Sequence, residues 1–190
     1  MFMARMCCTK VMNIKALETV VVYRLKQVCQ QLGFVPPMTR ADYGEVERWL
    51  PASALPLFLT MSQADQQHCL RVCRGLQAHG CCEQDMLAAA LLHDVGKAEG
   101  RVPFWTRPTI VLGKRFAPTW LQATLLDLDK LDHPQGRSWR RSLSYAWYHA
   151  EVGARLAATV GLSKRAVLYI QTHHQPHGPA AELYLIDEVS

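Results

Sequence analysis

"MLAAALLHDVGK", residues 86–97, runs the most apolar stretch of the chain straight into an adjacent histidine and aspartate. Alanine and leucine are strong helix formers. A helix that is apolar on every side is a buried one, so the segment predicts a core helix over 83–95, with Gly96 expected to terminate it. Asp94 then sits where a charge is expensive. A buried carboxylate without a partner costs several kcal/mol or more. Something positively charged has to meet it, and the rest of the sequence can be searched for what that is.

The remainder of the chain also reads as helices. Apolar positions recur at helical spacing over 15–32 and stop at Gly33. Pro36 and Pro37 break the chain. Short helices are expected over 42–50 and 53–60. Ser62 offers an N-cap for a helix over 63–79, which Gly80 follows. Residues 101–142 carry four prolines and are the hardest to read; helices are expected at 109–115 and 118–131. One helix is expected from about 145 to Gly161, another from Ser163 through "KRAVLYIQTHH", and a last one beginning near Pro179. The fold class is therefore all-α, a helical bundle. Residues 1–52 are expected as an N-terminal helical extension and 53–190 as the domain that carries His93 and Asp94.

Composition bounds the function. The chain has 190 residues and a formal charge of +5, modest enough to suit an anionic substrate without demanding one. Its seven cysteines, at 7, 8, 29, 69, 73, 81 and 82, contain no C-x-x-C spacing, which argues against a disulfide framework and a zinc ribbon. The expected location is a reducing cytoplasm. The start lacks the pattern of a secretory signal, and no run is long enough for a transmembrane span. There is no nucleic-acid-binding motif. "FWTRPTIVLGKRFAPTWLQATLLDL" (104–128) mixes aromatic, aliphatic and basic residues. It reads as a covering helix or loop, with contact to a membrane surface as the alternative. The first 50 residues read as a helical cap or as a contact in a homodimer.

Eight histidines are distributed along the chain, and His68, His93, His149, His173 and His174 lie in apolar helical contexts. Any one of them alone is ordinarily a core histidine with a satisfied ring nitrogen. Together with Asp94, and with Asp187 in "LYLIDEV", they form a ligand set spread over several helices, and bundle cores are where such metal sites are built. A divalent cation beside His93 and Asp94 answers the charge problem. Mixed imidazole and carboxylate ligation favours zinc, manganese or iron over calcium or magnesium. Neighbouring residues on a helix point about 100° apart, so both reach one site only where the helix ends. The two oxygens of Asp94 allow it to bridge two ions.

The ordered set resembles the HD-domain metal-dependent phosphohydrolase superfamily over about residues 55–190. His68 in "DQQHCLRV" matches the first-helix histidine of that family, and "LLHDVGK" matches its signature. His149 in "HAEVGA", His173 and His174 in "IQTHH", and Asp187 follow in order. The resemblance implies that His68, His93, Asp94 and Asp187 hold one metal, and that Asp94, His149 and His173, with His174 added, hold a second. It implies hydrolysis of a phosphoester or phosphoanhydride, on a nucleotide-type or other small phosphorylated substrate, by metal-activated water. Asp94 and Lys97 would be catalytic, and Lys97 and Arg101 would bind substrate. Arg107, Lys114, Arg115, Arg137, Arg140 and Arg141 are candidates for a phosphate-binding rim, and Glu151 for a partner of a ligand histidine. The cyclic-dinucleotide branch with its G-Y-P motif is not matched, because "HHQPHGP" lacks the tyrosine and Ala64 replaces an expected glutamate. Two other functions suit the same residues: an HD-type di-iron oxygenase, and a catalytically silent helical domain that binds a ligand or partner.

Overall fold

The computed structural model describes residues 36–99, 102–103, 105–131 and 138–190. The expected helix over 15–32, Arg101, His133 and Arg137 lie outside them, as does the side chain of Arg107. Every regular element among the described residues is helical: α1 (Arg40–Trp49), α2 (Leu55–Leu59), α3 (Gln63–Ala78), α4 (Gln84–Leu92), α5 (Gly96–Glu99), α6 (Thr106–Phe116), α7 (Pro118–Thr124), a 3₁₀ turn at Leu128–Lys130, α8 (Ser138–Trp147), α9 (His149–Thr159), α10 (Lys164–Thr172) and α11 (Ala181–Asp187). The all-α class read from the sequence is the class observed.

Local chemistry sets most of the boundaries. Thr39 and Asp42 form a reciprocal capping box at the start of α1. Ser62 caps α3 by accepting from the Asp65 amide, and Ser163 caps α10 through the Ala166 amide. Gly80 and Gly161 take positive φ just past the ends of α3 and α9, where a side chain would be strained.

The centre of the fold is α4. Leu87, Ala89, Ala90, Leu91 and Leu92 have no exposed surface. They are sheathed by α3 on one side and α10 on another, with α1 against the same helix. α9 packs along α10, and α11 along α3. Val46 and Leu50, from α1 and its end, belong to this same core. The compact unit accordingly begins at Pro36. The boundary expected at residue 52 divides a single core, because an amphipathic α1 has its apolar side to bury and α4 is where it does so.

Three expected helices are broken. The first ends at Leu92 and not at 95: the Val95 amide bonds to Leu92, Lys97 to Asp94 and Ala98 to Val95, all three residues back, so the chain tightens at His93 and Asp94 before α5. The second was expected to run unbroken from 145, but Tyr148 separates α8 from α9. The helix expected over 118–131 likewise stops at Thr124 and resumes as the 3₁₀ turn.

Gly96 is not a terminator. It opens α5 at an ordinary φ, and its role is steric. A Cβ there would collide with the His149 carbonyl oxygen and lie 2.8 Å from the Gly153 nitrogen. α5 and α9 therefore meet backbone to backbone. Ala150, Gly153, Ala154 and Ala157 give α9 the small, buried stripe that this approach requires.

Candidate metal centre

Three of the histidines are held by the same local device. His93 stands just past the end of α4, His173 just past the end of α10, and His149 just past α8 at the start of α9. The last carbonyls of a helix have no partner within it. Each ring takes one: Nδ1 of His93 donates to the Ala90 carbonyl (2.8 Å), Nδ1 of His149 to Ala146 (2.8 Å) and Nδ1 of His173 to Ile170 (2.7 Å). With Nδ1 committed as donor, the neutral form of each ring presents a bare Nε2 lone pair to the interior. This orientation by a backbone carbonyl is the usual support of a metal-binding histidine.

The Nε2 atoms converge. His93 and His173 rings lie 5.1 Å apart centre to centre, His149 and His173 5.3 Å, and His68 and His93 5.3 Å. Nε2 of His93 and Nε2 of His173 are fully buried and have no hydrogen-bond partner. A polar atom buried without a partner costs about 1–3 kcal/mol, and the structure carries two in one place.

Distances among the donor atoms test the fit of an ion. Ligands about 2.1 Å from a transition metal stand about 3.4 Å apart in a tetrahedron, and about 3.0 Å (neighbours) or 4.2 Å (opposite) in an octahedron. Asp187 Oδ1 is 2.8 Å from His68 Nε2 and 3.5 Å from His93 Nε2. Asp94 Oδ2 is 3.7 Å from His93 Nε2 and 4.0 Å from His68 Nε2. The other oxygen, Oδ1, faces His149 Nε2 at 3.5 Å, and His149 is in turn 2.9 Å from His174 Nε2. His68, His93 and Asp94 form one group able to hold a metal ion, and His149, His173 and His174 form another. The residues fit a metal. The two oxygens of Asp94 address the two groups separately.

Electrostatics favour the ligand form at Asp94, Asp187, His149, His173 and His174, whereas the Cys69 thiol, Asp94 and Asp187 raise the pKa of His93 against its burial. Burial alone would raise the pKa of Asp94, but Lys97, then His93, His149 and His68, hold it well below the usual carboxylate range. Asp187 is lowered as well, because the hydrogen bond from His68 and the nearness of the His93 ring outweigh its burial. Burial pushes His149 down to about 3, with the Lys97 charge adding to the effect, and pushes His173 and His174 below the ordinary imidazole value. These rings are neutral at neutral pH, the form in which imidazole binds metal.

All seven residues read from the sequence as ligands thus meet in one region, with His174 exposed at its mouth. Lys97 reaches it too, ion-paired to Asp94 Oδ2 three residues back. The rim candidates divide differently. Arg140 donates to the Thr124 carbonyl at 2.7 Å and the Ala123 carbonyl at 3.2 Å, fastening α8 to the end of α7. Lys114 lies over the Trp147 ring at 4.5 Å, and Arg141 over Tyr145 at 5.6 Å. Glu151 lines a cavity of about 260 Å³ with Leu128, Ala154, Arg155 and Gln171, which contains none of the seven ligand residues.

Cys69, which stands one helical turn from Cys73 and is expected from the sequence as a small apolar helix residue, belongs with Gly153 to the scaffold of the site. The Cys69 thiol lies 3.7 Å from His93 Nδ1, and its complete burial raises its pKa. Its signal was position: it follows His68 and belongs to the buried stripe Cys69–Val72–Cys73–Leu76. Gly153 was legible as part of the small-residue stripe on α9.

Fold and site together define an all-α protein whose buried histidines and aspartates can hold a metal ion. Comparison with known proteins adds no relative: no family model matches the chain, and neither a curated protein nor a solved structure does.

Proposed function

We propose that the chain is a metal-dependent phosphohydrolase of the HD type, cleaving a phosphoester or phosphoanhydride of a small, nucleotide-type substrate. The observation that carries this reading is the pair of buried, unpartnered Nε2 atoms on His93 and His173, set around a carboxylate that has an oxygen toward each group. His68, His93, Asp94 and Asp187 would hold one ion, with His149, His173 and His174 available to a second. Iron, manganese or zinc suits these donors. A bound ion supplies Lewis acidity: water beside it ionises near neutral pH, and charge on phosphoryl oxygens is neutralised.

The protein's own groups have defined parts. The backbone carbonyls of Ala90, Ala146 and Ile170 fix the ring tautomers. Asp94 balances the positive charge gathered at the site. Lys97 holds the Asp94 carboxylate in place and offers an ammonium to an anionic substrate arriving there. The core formed by Leu91, Leu92 and Ile170 keeps bulk water from behind the rings. His174, at the mouth, is the ring that an incoming substrate meets first.

Elemental analysis of protein purified without added metal tests the proposal, alongside an Asp94→Ala variant. We expect about one or two equivalents of a transition metal, lost in the variant, and release of phosphate from nucleotides or phosphate esters by the loaded protein. A mixed-valence iron signal without hydrolysis would replace the reading by the oxygenase. No bound metal, with none taken up on addition, would leave a helical domain whose histidines serve packing.

A further inference from the structure

We propose that the α6–α7 hairpin docks on an anionic membrane surface. Val111, Leu112 and Phe116 of α6 are 66%, 56% and 76% exposed, and Trp120 of α7 is 53% exposed. Scattered single apolar residues need no explanation, but several large ones on two successive helices do. On α6 they share one arc with Pro108 and Arg115. The opposite arc, through Thr106 and Gly113, is buried, and Gly113 lies against Leu121 of α7. The hairpin is therefore folded with its apolar arc outward. The hydrophobic core that surrounds α4 includes none of these four residues.

Charge selects the occupant. Between Glu99 and Asp127 the chain contains no acidic residue, and α6 carries Lys114 and Arg115 in exposed positions. α8, packed on α6, carries no acid either. An interface with a second copy of this face would oppose like charges, which is unfavourable. Anionic headgroups meet the basic residues instead, while Phe116 and Trp120 are of the type that enters the boundary between headgroup and acyl chain. Each Lys or Arg near such a surface contributes about 1 kcal/mol, roughly a fivefold gain in partitioning. No helix among the described residues is long and apolar enough to cross a membrane, so the contact is peripheral. The inference does not depend on the metal centre or on hydrolysis.

Cosedimentation of the full chain with vesicles tests it. One set is phosphatidylcholine alone; in the other about a third of the lipid is phosphatidylglycerol. We expect binding to the anionic set only, weakened by salt. Phe116→Ser should lower partitioning about tenfold, and Arg115→Glu at least fivefold. Both positions are exposed, so melting temperatures should not move; Leu112→Ala replaces Phe116→Ser if that variant melts early. Equal binding to both vesicle sets, or to neither, overturns the proposal. So does binding that the variants leave intact, which would assign it to another part of the chain. A mass by light scattering that falls in Phe116→Ser without lipid also overturns it, because the face would then be covered by a second copy.

Discussion

α4 and α6 are both helices rich in apolar residues, and they have opposite fates. α4 is enclosed on all sides, and its end delivers His93 and Asp94 to a buried cluster. α6 keeps Val111, Leu112 and Phe116 in solvent, although by hydrophobicity those residues belong inside. The difference lies in what each helix has to pack against. α3, α10 and α1 close over α4, and the small stripe of α9 lets α5 come within backbone contact. α6 has a short partner in α7 and packs also on α8, which cover one arc only. Hydrophobic content therefore marks burial in one region and an outward surface in the other.

The comparison can be broken hardest at Gly96. Valine there has no free space, since backbone atoms of His149 and Gly153 block it and cannot yield as a flexible side chain would. We expect a loss of about 4 kcal/mol or more, or failure to fold, measured by urea denaturation. A valine variant of ordinary stability would show that α5 and α9 do not approach as described. Leu91→Ala, inside the core, should cost about 2–5 kcal/mol and lower the denaturation midpoint without changing its slope.

Acid should also find the buried region. In metal-free protein the pKa of His149 is about 3 and that of His173 is well below ordinary. Unfolding returns both to about 6.5. Below that pH the unfolded chain binds more protons than the folded one, so stability falls as pH falls, by about 1.4 kcal/mol per pH unit for each ring. His93 is raised: the effects of the Cys69 thiol, Asp94 and Asp187 outweigh the burial that alone would lower it. It is protonated in both states below that pH, so it adds no slope there. Urea midpoints in chelator at about pH 7 and about pH 5 check this; equal midpoints would mean that the rings are hydrated. At the other end, Leu112→Ala on the exposed arc of α6 should change stability by no more than about 0.5 kcal/mol. A core-sized loss there would erase the contrast between the two helices.

Much of this was legible in the residues. Capping by Ser62 and Ser163, the positive-φ glycines at 80 and 161, and the helices over 63–78 and 164–172 follow from local chemistry that each segment carries by itself. The list of candidate ligand residues was legible for a related reason: histidines and aspartates in apolar frames are costly enough to require a purpose. The break at Tyr148 was not legible, since apolar spacing continues across it with neither proline nor glycine. Nor was the fastening role of Arg140, whose carbonyl partners belong to a different helix.

The sequence by itself determined that the chain is helical, where most helices begin and end, and which side chains are available to a metal. Only the tertiary structure decided that His68 meets Asp187 across 119 residues of chain, that Gly96 is a point of backbone contact and not a stop, and that the apolar arc of α6 faces outward. The physical reason is range. Helix propensity, capping and periodicity act over a few residues, whereas convergence and exposure depend on which surfaces remain to be covered once all the helices have packed.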